Sequence, residues 1–133
     1  MTKQQREVDA FLHENQDILN QYNLTMTGHS LGGNLAEYAA IVADRYGLDD
    51  NIKRCVSMDG PGFSQEFIDE HRSQIEKMKD VFYHPRWSFV GTMLNDLPIP
   101  EDQYQFVGVQ PVIKTGKNGR RSRKISKRKK QDY

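Results

Sequence analysis

The 133-residue chain carries 19 Lys and Arg against 18 Asp and Glu, with a single cysteine. That length suits one domain with a modest core, and one cysteine excludes an intramolecular disulfide. A hydrophobic fraction of 36% and a mean hydropathy of −0.80 leave no run of about 20 apolar residues for a membrane-spanning helix, and imply that part of the chain stays outside any core.

The opening MTKQQREVDA lacks the apolar stretch of a secretory signal, so a cytoplasmic location is expected. Residues 3–20 then place Val8, Phe11, Leu12, Ile18 and Leu19 at helical spacing, which predicts an amphipathic helix. Asn20 and Asn23 punctuate the chain before LTMT, where alternating Leu24 and Met26 predict a strand over 23–27. From Asn34 to Tyr46, Leu35, Ala39, Val42, Ala43 and Tyr46 recur with helical period, and Gly47 ends that helix. IKRCVSM predicts a second strand stopped by DGPG, residues 64–79 a third helix, and VFYH a third strand. The alternation of helix and strand predicts an α/β fold, a mostly parallel sheet with flanking helices. Its chemistry belongs at the carboxyl ends of the strands, where Ser30, Asp59 and His84 fall. Beyond Pro85 the chain predicts a Pro-rich loop, then a late edge strand in YQFVGVQPVI, because Pro111 cannot donate to a ladder.

Residues 116–133 carry nine Lys or Arg and one Asp, leaving ten basic and seventeen acidic residues on the body. An acidic domain over 1–115 is therefore joined to a basic tail expected to be disordered. Such a tail suits contact with nucleic acid or an anionic membrane, or no dedicated partner at all. Cys55 sits in an apolar run with nothing beside it to lower its pKa, so it reads as a small hydrophobe. No paired Cys or His spacing and no phosphate loop is present, so neither metal nor cofactor is expected.

Gly28, His29, Ser30, Leu31 and Gly32 fit G-x-S-x-G, in which a serine stands on a sharp turn between strand and helix. The predicted strand before it and the Ala-rich helix after it supply the context that pattern needs. At such a turn the Leu31 amide lies at a helix N-terminus, where it can hold a developing oxyanion. LTMTGHSLGGNLAEYAA, VSMDGPGF and the later SFVGTML together resemble the lipase-like branch of the α/β-hydrolases, related to class 3 lipases and to a bacterial lipase-like domain of unknown function. The resemblance covers roughly residues 8–113. It implies that the chain is the central part of such a hydrolase, that Ser30 attacks the carbonyl of an acyl-ester or lipid substrate, and that His29 supports the elbow.

The family's triad runs Ser, Asp, His along the chain. Asp59 and His84 preserve that order on neighbouring strands, with Asp96 and Asp102 as alternative acids. Asp59 equally suits a turn residue before Gly60, and His84 a strand-end residue packed beside Trp87. His13 and His71 are expected to be solvated. The pattern departs at Ser88, Phe89 and Val90, which stand where such lipases carry an Asp, and at the basic tail, which stands where their catalytic His is expected. A hydrolase remnant acting as a binding or scaffold domain is the alternative function. The strands missing before the elbow would leave a sheet edge to pair with a second copy or a partner chain.

Overall fold

The computed structural model describes residues 2–115 and 121–127. Thr2 starts helix α1 (Lys3–Leu19) with a capping box, its hydroxyl accepting from the Gln5 amide at 3.1 Å while Gln5 Oε1 accepts from the Thr2 amide. Leu12 is buried, Val8 and Leu19 are partly so, and Phe11 and Ile18 face solvent. The exposed pair follows from placement: α1 packs on α2 and the turn after it, so a narrow apolar stripe suffices.

Strand β1 (Leu24–His29) runs directly into α2 (Leu31–Val42) through Ser30. The helix thus begins three residues before the expected Asn34 and takes Gly32 and Gly33 into its first turn. Gly47, at φ 66°, closes the short 3₁₀ turn that follows. Strand β2 (Ile52–Met58) leads to α3 (Gln65–Glu70) and α4 (Arg72–Met78), which replace the single helix expected over 64–79. The break is at His71, whose φ of −112° leaves the helical region while its ring and its amide both turn back to the Phe67 carbonyl. Strand β3 (Phe82–Arg86) and β4 (Tyr104–Phe106) complete a four-stranded sheet in the order β1-β2-β3-β4, all parallel. The chain therefore has the α/β architecture of a parallel sheet with flanking helices.

Successive strands step across the sheet in one direction, so right-handed crossovers bring α2 and the α3–α4 pair to the same face. Tyr38, Ile41, Val42, Cys55, Ile75, Met78 and Phe82 fill that interface. Register fixes one row across it: Gly28 lies opposite Ser57 and His84 opposite Tyr104, just below the carboxyl edge. The expected late strand divides in two, Tyr104–Phe106 joining the main sheet and Val109–Thr115 (β5) pairing antiparallel with Arg121–Lys127 (β6). Part of the basic segment expected to be disordered thus forms a strand, with Ile125 paired in register with Pro111 through a ladder made by backbone groups. The rest of that segment, 116–120 and 128–133, lies outside the described residues. Among the described residues no helix is long and apolar enough to cross a membrane.

Candidate active site

Ser30 joins β1 to α2 with φ 56° and ψ −124°, a region non-glycine residues seldom occupy. Two groups of bonds hold it there: its amide donates to the Met58 carbonyl at 2.9 Å, and its carbonyl accepts from the Gly33 amide at 2.8 Å and the Asn34 amide at 3.3 Å. The first fastens the turn to β2 and the second starts the helix. Its side chain makes no capping hydrogen bond and the residue is partly exposed. The Leu31 and Gly32 amides stand in the first turn of α2, where no intrahelical acceptor exists.

The two glycines of the motif differ. A Cβ on Gly28 would run into the Gly32 carbonyl, whereas a Cβ on Gly32 would meet nothing within 4 Å. Beneath the turn, Gly33 and Gly60 both pack on the Ser57 hydroxyl, so helix and strand approach more closely than side chains would allow. His29 is exposed and its ring stacks on Trp87, with centroids 5.8 Å apart.

Asp59 makes no hydrogen bond to a histidine, although the His29 charge is close enough to act on it. Its carboxylate accepts from the Trp87 amide at 2.9 Å, from the Ser88 amide at 3.0 Å and from the Ser88 hydroxyl. Burial pushes this carboxyl up, yet the hydrogen bonds from Ser88 and Trp87 outweigh it and hold the pKa below 3.8. Asp59 therefore clamps the loop after β3, taking up amides that would otherwise be stranded at the sheet edge. Gly91 is needed beneath that clamp, because its Cβ would strike the Asp59 carboxylate.

His84 is likewise not at the serine. It is 1% exposed, donates or accepts at Nδ1 with Glu37 Oε2 at 3.1 Å, and stacks on Tyr104 with centroids 4.6 Å apart. The expected triad of Ser30, Asp59 and His84 is thus not assembled as a hydrogen-bonded chain: register turns His84 to the helix-covered side of β3, into the interior. Among the described residues no imidazole hydrogen-bonds to Ser30. Asp96 is exposed and paired with Arg86 at 2.8 Å, and Asp102 is exposed on a 3₁₀ turn. His13 is exposed as expected, but His71 is half-buried, with Nε2 3.3 Å from Arg45. Cys55 is fully buried, and burial followed by the Glu37 charge pushes its thiol well above the ordinary value.

A groove of about 590 Å³ opens beside the elbow, between α2 and α3 and under the first turn of α1. Leu31 and Leu94 flank its mouth, 51% and 64% exposed. Met58, Phe89, Met93 and Phe106 are also exposed at the carboxyl edge of the sheet or in the loops leaving it, so apolar surface collects at this end of the molecule. Ser30, Asp59 and Leu94, the non-glycine residues with positive φ among those described, all belong to this end of the molecule. Asn34 was not singled out by sequence, yet it ties α2 to the loop after β2, its amide donating to the carbonyls of Pro61 at 3.2 Å and Gly62 at 2.9 Å. Glu37 was missed too. Its signal was a lone carboxylate among Leu35, Ala36, Ala39 and Ala40, on a helix too apolar to leave it in water.

The family model described as Mbeg1-like matches residues 2–104. No curated protein and no solved structure matches the chain at a significant level.

Proposed function

The chain belongs to the Mbeg1-like family, and we propose that it is a lipase-type serine ester hydrolase in which Ser30 is the nucleophile. The observation that carries this reading is the Ser30 backbone at φ 56° and ψ −124°. A strained serine costs about 1–3 kcal/mol, and here it sets a free hydroxyl beside the open amides of a helix N-terminus. Ser30 Oγ would add to the ester carbonyl while the Leu31 amide holds the oxyanion; the alcohol would leave with the serine proton, and water would release the acid from the acyl-serine. The exposed apolar residues around the turn favour a water-insoluble acyl ester as substrate.

A fluorophosphonate probe tests this directly. Covalent labelling of the wild-type chain that disappears in Ser30→Ala supports it; an unlabelled wild type overturns it. The pairing of His84 with Glu37 favours a second reading, an acyl-binding domain descended from a hydrolase. That reading predicts no labelling, together with retained binding of the hydrolysis product, a fatty acid.

A further inference from the structure

We propose that the groove beside Ser30 is an acyl-chain channel of fixed length, its far limit set by the Arg45–His71 contact. This rests on the reading of Ser30 as nucleophile and adds to it which esters fit.

Three cross-links step along the groove in the same order on both walls. Asn34 bonds to Gly62, the Tyr38 ring lies 5.9 Å from the Phe67 ring, and Arg45 reaches His71 Nε2 at 3.3 Å. Leu31, Asn34 and Tyr38 repeat at i, i+3 and i+7 on α2, and Ser64, Phe67 and His71 do the same on the facing wall, so each helix presents one stripe to the channel. From Leu31 to Tyr38 the path is about 10 Å at about 1.5 Å per residue, and the Arg45 guanidinium reaches back to close it beside the Tyr38 hydroxyl. The facing wall carries an aromatic stack, Phe63 on Phe67 at 4.4 Å and Phe67 on His71 at 4.2 Å.

Polar groups along the first part of the channel are already used. The Pro61 and Gly62 carbonyls accept from Asn34, and the Ser64 hydroxyl accepts from the Phe67 amide. A ligand there gains little from hydrogen bonding to these groups and gains from burying methylenes. The far end is the reverse. Arg45 pairs with Asp9 at 3.3 Å, the hydroxyls of Tyr38 and Tyr46 both donate to Asp9, and the guanidinium donates to His71 Nε2, whose Nδ1 proton goes to the Phe67 carbonyl. A chain long enough to enter this network would break charged hydrogen bonds without replacing them. Glu66 and Glu70 line the outer wall, which disfavours a chain with an anionic tail.

The test is the rate at which Ser30 is labelled by p-nitrophenyl alkylphosphonates of graded chain length, ethyl through hexadecyl. The expected rate rises by up to about fourfold per methylene over the shorter chains and stops rising once the chain spans the channel. Arg45→Ala should extend the rise to longer chains. Equal rates for all lengths, or a cutoff that Arg45→Ala does not move, overturn the channel while leaving Ser30 as nucleophile. If no reagent labels Ser30, the nucleophile reading fails. Decanoate titrated into Ser30→Ala, followed by NMR shifts of the Tyr38 and Phe67 rings, then decides the channel separately: shifts confined to this groove uphold it, and none overturn it.

Discussion

His84 on β3 and Glu37 on α2 form a sealed pair, Nδ1 to Oε2 3.1 Å, with each side chain 1% exposed. Glu37 Oε1 and His84 Nε2 have no partner among the described residues. Breaking such a pair leaves a buried polar group uncompensated and costs about 3–5 kcal/mol, whereas replacing both members with apolar residues of similar volume is often neutral. His84→Ala should therefore destabilise strongly, and Glu37→Met with His84→Phe should recover most of the loss. Urea unfolding of the two variants decides it; a double variant no more stable than His84→Ala would show that the pair is not coupled. Neither change removes a group in contact with Ser30, so labelling of the folded fraction should persist.

The same carboxyl should give the fold a pH dependence of unusual sign. Burial raises the Glu37 pKa above 4.5, outweighing the hydrogen bond and charge of His84. A carboxyl with a raised folded pKa contributes stability that is fully present below pH 4.5 and is withdrawn as pH climbs through the folded value. Glu37→Gln should remove that decline. Thermal unfolding across the acid range would show it as a flatter profile, and an unchanged slope would rule Glu37 out as its source.

Asp59 should act in the opposite direction. Its hydrogen bonds to Ser88 and Trp87 hold its pKa below 3.8 despite burial, so its contribution is present above pH 3.8 and lost as pH falls through the folded value. Asn tolerates the positive φ of 58° at this position, so Asp59→Asn isolates the carboxylate. We expect a loss of about 1–3 kcal/mol at neutral pH that vanishes once the wild-type group is protonated. A deficit independent of pH would mean that shape rather than charge clamps the loop.

The elbow and the parallel sheet were legible because both are written in local pattern: G-x-S-x-G after an alternating strand, and Ala-rich helical periodicity after it. Side-chain direction was not. Whether His84 turns toward the serine or toward α2 depends on the register that places it opposite Tyr104, a non-local quantity that one residue's slip would invert. Asp59 could be placed at a strand end, but its partners Trp87 and Ser88 come from a loop 28 and 29 residues away. The break at His71 escaped for a related reason. Its neighbours have helical spacing, and the ring's contact with Arg45 on another element is non-local.

The two glycines of the motif should respond oppositely to alanine. At Gly28 the new methyl would overlap the Gly32 carbonyl, a backbone group that can yield only by moving the turn. Overpacking of this kind costs about 1–3 kcal/mol or more. At Gly32 the space is open and the residue is helical, so Gly32→Ala should stabilise by up to about 1 kcal/mol. Melting temperatures of the two variants test the asymmetry, and a destabilised Gly32→Ala would show the turn to be tighter than its geometry.

Ser30 itself offers the sharpest measurement of stored strain. Ser30→Ala removes the hydroxyl but keeps a Cβ at φ 56°, so it abolishes labelling without relaxing the backbone. Ser30→Gly removes both, relieving about 1–3 kcal/mol of strain against about 0.5–1 kcal/mol of added chain entropy. The glycine variant should therefore be the more stable of the two, by about 1 kcal/mol on balance. Because the serine hydroxyl makes no capping bond in the native turn, neither variant loses one, and the comparison isolates the backbone. Equal stabilities would mean that the turn relaxes around alanine, and the bend could no longer be read as a cost borne for the sake of the hydroxyl it presents.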